Sequence, residues 1–136
     1  MSFKKILQLM VGYYAVAVGF NLVSIARVQM GDSPLIHGNP VLSIILLSLY
    51  LVLAYCGHKH WRWPFIGIGM FGLFALPVRG IVPHIQALLD PTLLTIYSSE
   101  SVAWIAITIN CFGFVVLALS FYRAPFIRNL RKHYEN

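Results

Sequence analysis

Residues 102–122 read VAWIAITINCFGFVVLALSFY, 21 consecutive positions without a charged side chain. A helix needs about 20 mostly apolar residues to cross a bilayer core of ~30 Å, and this run has that length. A transmembrane β-strand would instead show about 10 residues of alternating polarity. Phe114-Val115-Val116-Leu117-Ala118-Leu119 does not alternate. Backbone N–H and C=O groups in hydrocarbon must find partners within their own segment or in a closed barrel, so the stretch predicts a transmembrane helix.

Working outward, three more apolar runs occupy residues 6–26, 41–57 and 64–78. The third is short by itself and predicts a span of about 62–82 once its flanks are included. The composition agrees: 59% of residues are hydrophobic and 10% charged, against about 25% charged in a soluble domain. The expected fold is an all-α integral membrane protein, a four-transmembrane-helix antiparallel bundle with an outer-face amphipathic segment. Residues 1–136 form a single membrane domain on this reading. The first run follows Lys4-Lys5 as in a signal peptide, but the apolar part of a signal runs about 7–15 residues. This one is longer and is read as an uncleaved first helix. Cys56 and Cys111 lie in or at the end of spans and predict no disulfide framework.

The charges predict how the spans are oriented. If the termini and the connection between spans two and three share one side, that side holds Lys4, Lys5, Lys59, Arg62, Arg123, Arg128, Arg131 and Lys132. The opposite side holds Arg27 and Arg79, with Asp32, Asp90 and Glu100. Short loops rich in Lys and Arg stay cytoplasmic, so both termini are expected inside, in the cytoplasmic membrane if the source is bacterial. Trp61, Trp63, Trp104 and Tyr122 fall at span ends, where an apolar ring with a polar tip is favoured. The net charge of +6 is therefore assigned to headgroups and not to nucleic acid.

Turn chemistry marks the connections. Met30-Gly31-Asp32-Ser33-Pro34 and His37-Gly38-Asn39-Pro40 are breaker clusters. Asn39 is placed to cap span two with Pro40 at its first position. Residues 83–99 carry too many apolar side chains for a free loop and predict an amphipathic segment on the outer surface, interrupted at Asp90-Pro91. Residues 125–136 read as a basic juxtamembrane tail, with Phe126, Ile127 and Leu130 on one face along the inner headgroups.

Arg79 follows Trp63 by sixteen residues, about 24 Å along a helix, which sets it close to the outer interface. Its stem can reach water from there. Pro77 and Pro83 loosen the helix around it, and Gly80 opens space. Arg27, Asp32, His37, Arg79 and His84 all fall at that depth, and together form a candidate ligand-binding set for a quinone, a lipid or a small anion. Gly12, Gly19, Gly67, Gly69 and Gly72 are candidate packing positions, expected to bring spans one and three together. Asn21, Tyr50 and Asn110 are intramembrane polar groups expected to bond between helices.

Other chemistry is poorly supplied. Gly67-Ile68-Gly69-Met70-Phe71-Gly72 spells a dinucleotide fingerprint but lacks the preceding strand and distal acid. Cys56-Gly57-His58-Lys59-His60 has no fourth zinc ligand nearby, and His37 and His84 lack rigid facing positions for haem. No metal or other cofactor is therefore expected. The four acids lie outside the span cores, which argues against proton- or ion-coupled transport and against carboxylate catalysis. The leading expectation is a non-enzymatic accessory or assembly subunit of a larger membrane complex. Its partners would be the lipid bilayer and other membrane subunits or copies of itself. The alternatives are a quinone-, lipid- or anion-binding membrane protein and a small oligomeric transporter.

Overall fold

The structure, a computed structural model, describes residues 1–127. Its elements are α1 (Phe3–Gln29), α2 (Pro40–His58), α3 (Arg62–Ala75), a π-helical segment (Leu76–Ile81), α4 (Val82–Leu89), α5 (Pro91–Leu94) and α6 (Glu100–Arg123). α3, the π segment and α4 form one helical rod, Arg62–Leu89. This rod, α1, α2 and α6 are the four helices long and apolar enough to cross a membrane.

Local chemistry sets the boundaries. Ser2 caps α1 by accepting from the Lys5 N–H. Asn39 accepts from the Leu42 N–H at 3.0 Å, and Pro40 occupies the first turn, where its missing N–H has no partner to lose. Ser99 accepts from the Val102 N–H at the start of α6. Between α2 and α3 the chain reverses through His60, whose φ of 55° is left-handed, and the Trp61 N–H returns to the Cys56 carbonyl at 2.9 Å.

The sequence reading ended span three at Val82 and began a separate surface segment at Pro83. The helix instead continues to Leu89. Its 28 residues would reach about 42 Å at α-helical rise, more than the ~30 Å apolar core. The interruption comes at Asp90, where the backbone turns extended. The Asp90 carboxylate accepts from the Thr92 N–H at 2.9 Å and the Thr92 hydroxyl at 2.7 Å. These bonds hold its pKa below the usual carboxylate range.

α1 packs on α2 and α6, while α3, the π segment and α4 all pack on α6, and α3 also meets α2. The main core gathers Ile6, Met10, Tyr13, Leu53, Phe65 and Leu117. At one end of it the rings of Phe3, Phe65 and Phe126 meet with centroids 5.2 to 6.1 Å apart. Phe126 and Ile127, at the start of the basic tail, are partly buried and pack against this core. The tail beyond them, including Leu130, lies outside the described residues. At the same end Lys59 sits over the Tyr55 ring, Arg62 over Trp63 and Arg123 over Tyr122.

A second, smaller core lies at the opposite end. Ala87, Tyr97, Val102 and Ala103 are buried there, with Phe20, Leu35 and Ile36 against them. A bridge between Ile36 and Tyr97 ties the α1–α2 connection to the α5–α6 connection. The His37 N–H donates to the Ile96 carbonyl at 2.8 Å and the Ser98 N–H to the Leu35 carbonyl at 2.9 Å. Outside both cores the apolar side chains face outward: Phe74 is 70% exposed, Ile45 60% and Val16 59%. Water would penalise that surface by about 25 cal/mol per Å²; hydrocarbon would not, so the surface is compatible with a membrane location.

The glycines do not join spans one and three. A Cβ at Gly69 would strike the Phe121 ring, and one at Gly72 would lie 2.9 Å from Leu117, both on α6. Gly12, Gly19 and Gly67 have open space around them. Of the five glycines, Gly69 and Gly72 are close-approach positions, and the helix they meet is α6. Gly113, which the sequence reading passed over, is where α6 receives the Tyr13 ring from α1. Gly69→Val and Gly113→Val are therefore expected to lower stability by about 1–3 kcal/mol through overpacking. Gly67→Val should cost far less. Thermal unfolding in detergent micelles checks the ordering, and equal losses at Gly67 and Gly69 would contradict the packing described.

Candidate functional site

Between the two cores lies a cavity of about 780 Å³. α1, α2, α6 and the α3–π–α4 rod all contribute to its wall, so its shape depends on the whole helix arrangement. Tyr13, Tyr50, Leu53 and Leu117 line its deep end, where the main core begins. Asn21 and Asn110 stand at intermediate positions, and Ser24, Arg79 and His84 belong to its other end. Ligand pockets typically measure about 300–1,000 Å³ and are mostly apolar with a few convergent polar groups. This one fits that description.

The π segment accounts for the placement of Arg79. Pro83 has no N–H to offer the Arg79 carbonyl, and its ring would collide with that carbonyl in a regular α-turn. Opening the turn relieves the clash, and the Val82 N–H then bonds to the Pro77 carbonyl five residues back. Such π turns recur at functional sites. The widened turn presses on α6 at Gly80, where a Cβ would lie 2.8 Å from the Asn110 Oδ1. Only a glycine allows that approach, and it fixes the neighbouring Arg79 at the cavity's edge.

His84 is held by a bond between its Nδ1 and the Tyr97 hydroxyl. Burial pushes the Tyr97 phenol pKa up, which keeps the hydroxyl protonated at neutral pH. When Tyr97 donates to Nδ1, the second ring nitrogen of His84 carries the remaining proton as a free donor. Ser24, buried on α1, accepts from the Leu35 N–H at 3.0 Å and anchors the loop that leads to Ile36.

Of the five residues proposed from sequence, the cavity wall includes Arg79 and His84. Arg27, Asp32 and His37 are not part of it. The Arg27 Nε donates to the Ser33 carbonyl at 2.9 Å, and the Asp32 N–H donates to the Arg27 carbonyl, so both serve the end of α1. His37 is exposed, with its backbone committed to Ile96. A tight loop satisfies its own backbone first, and that geometry turns these side chains away.

The intramembrane amides also depart from expectation. The Asn21 Nδ2 donates to the Ala17 carbonyl at 2.8 Å and the Asn110 Nδ2 to the Ala106 carbonyl at 2.9 Å. Each bond stays within one helix. A carbonyl four residues back has a spare lone pair within easy reach, so the amides do not need a neighbouring helix. Among the described residues, no group of three or more His, Cys, Asp or Glu side chains is placed to hold a metal ion. Cys56 is buried and Cys111 exposed, both as free thiols.

No protein-family model matches the chain, and comparison with curated proteins and with solved structures finds no match.

Tyr13 is the lining residue that sequence reading missed. A phenol ten residues into a span, away from either interface, was the available signal. Its ring meets that of Tyr50 with centroids 4.7 Å apart, and both hydroxyls are buried without a hydrogen-bond partner among the described residues. An unsatisfied buried hydroxyl costs about 1–3 kcal/mol. Tyr13→Phe and Tyr50→Phe should therefore leave stability unchanged or raise it by up to that amount. A loss above about 1 kcal/mol in thermal unfolding would show that each hydroxyl has a partner.

Proposed function

We propose that this chain is a membrane protein that binds an amphipathic molecule of the bilayer, a lipid or a quinone, in the cavity between its spans. The reading takes the four helices as an antiparallel bundle with both termini in the cytoplasm, following the charge distribution. The observation that carries it is the cavity itself. Its wall is apolar along most of its length and bears donors at the end where the helices reach the headgroups. A small inorganic anion would leave most of that wall without a partner, whereas an amphiphile matches both parts. The wall offers no arrangement for nucleophilic or acid–base catalysis, and binding is the activity proposed.

A second reading, an accessory subunit that docks on another membrane protein, has an observation of its own. Gly12, Ala15, Gly19 and Ala26 follow one side of α1, all but Gly19 fully exposed, and both glycines have open space around them. Small residues at such spacing let a second helix approach closely. Gly19→Leu should then reduce co-purification of a partner or of a second copy without lowering stability.

The binding reading is tested by native mass spectrometry of protein extracted in mild detergent. Wild type should retain a small amphiphile at near one-to-one stoichiometry. Ala75→Trp, which fills the cavity from the rod, should remove it while the protein stays folded. A wild-type protein that flies bare would overturn the proposal.

A further inference from the structure

Resting on the binding reading, we infer that the occupant is an anionic lipid. It would slide in sideways between α2 and the α3–π–α4 rod, with its phosphate on Arg79 and one acyl chain lying along the cavity.

The direction of access follows from where the wall is closed and where it is open. Above the cavity, the Ile36–Tyr97 bridge and its two flanking hydrogen bonds join the connections into a roof. Ala87 and Ala103 are fully buried beneath that roof. Toward the bilayer the wall is broken. Leu42 and Leu46 on α2, and Phe71 and Phe74 on α3, line the cavity and are also exposed on the outer surface. A molecule already dissolved in hydrocarbon reaches the cavity through that gap.

The dimensions match one leaflet. On α1 the wall runs from Tyr13 to Ser24, eleven residues or about 16 Å of helix. Half of the apolar core is about 15 Å. Arg79 therefore stands at headgroup level when the deep end, at Tyr50 and Leu117, lies near the bilayer midplane.

The charge selects the headgroup. Arg79 is the permanent cation in the wall, and among the described residues no carboxylate lines it. Of the three acids at that end, Asp90 is bonded to Thr92, Glu100 accepts from the Trp104 Nε1 at 3.3 Å, and Asp32 is exposed outside the wall. A guanidinium offers a phosphate two parallel N–H donors, and His84 lines the same cavity with a further ring N–H. An uncharged quinone gains little from a cation placed there, and a zwitterionic lipid brings its own positive group close to it.

The test uses the full chain in nanodiscs containing equal amounts of phosphatidylglycerol and phosphatidylcholine with identical acyl chains. Lipid retained on the protein is counted by native mass spectrometry. Wild type should retain phosphatidylglycerol about fivefold over phosphatidylcholine, the preference expected of a partly exposed ion pair. Arg79→Gln should bring the ratio near one, and Arg79→Lys should keep part of the preference. Adding inorganic phosphate to wild type should leave the ratio unchanged at constant ionic strength. Equal retention of the two lipids by wild type would overturn the anionic assignment and leave the binding reading standing. Displacement of phosphatidylglycerol alone by inorganic phosphate would overturn the lipid as the source of the anion. Retention of neither lipid, nor of any other amphiphile, would remove both proposals. The wild-type ratio and the phosphate competition decide the matter even if Arg79→Gln fails to fold.

Discussion

A proline ring cannot share space with the carbonyl four residues before it, and that constraint at Pro83 organises one end of this protein. The helix around Arg79 yields by widening into a π turn, the Val82 N–H bonds to Pro77, and the chain continues as helix to Leu89. The widened turn is accepted because Gly80 lets it lie against Asn110 on α6. A regular turn here would change the direction in which Arg79 leaves the helix. The cavity's edge, the continuation into α4 and the His84–Tyr97 contact all follow from this one turn.

The rest of the structure separates two jobs. The main core is packed tightly around Phe65, Leu117 and the Tyr13 ring seated on Gly113. The smaller core beneath the Ile36–Tyr97 bridge closes the opposite end. Between them packing gives way to empty volume, with two phenol hydroxyls buried at its deep end. A protein selected for stability alone would fill such a gap, because cavities and unpaired polar groups are each destabilising. Their coincidence at one place, in a wall that also carries Arg79, supports the binding role proposed.

Much of this was legible in the sequence, and the parts that were not have physical reasons. The long apolar runs and the cap at Asn39 depend on local chemistry, as does the break at Asp90-Pro91, and local chemistry is written along the chain. Arg79 was conspicuous because a charged group near a bilayer is costly. Arg27, Asp32, His37 and His84 were grouped with it by depth alone, and of these the cavity wall includes His84. Depth is one coordinate, and the hydrogen bonds of the loop, Arg27 to Ser33 and His37 to Ile96, decide the other two. Gly69 and Gly72 were recognised as close-approach positions, but their partner is α6, since a small residue records that something comes near and not what. Tyr13 escaped because its chemistry resembles that of the interfacial tyrosines, and its depth in α1 was the one sequence sign that set it apart. The asparagines bond to their own helices because i−4 carbonyls lie nearer than any neighbour.

The central claim is that the space between α2 and the α3–π–α4 rod is held open for a bilayer molecule. A density map of the wild-type protein in a lipid nanodisc tests it most directly. Elongated density is expected to run from Arg79 toward Tyr50 and Leu117, with Leu46 and Phe74 standing apart at the opening. A map in which Leu46 and Phe74 close against each other, with the cavity collapsed and no chain density inside, would contradict it.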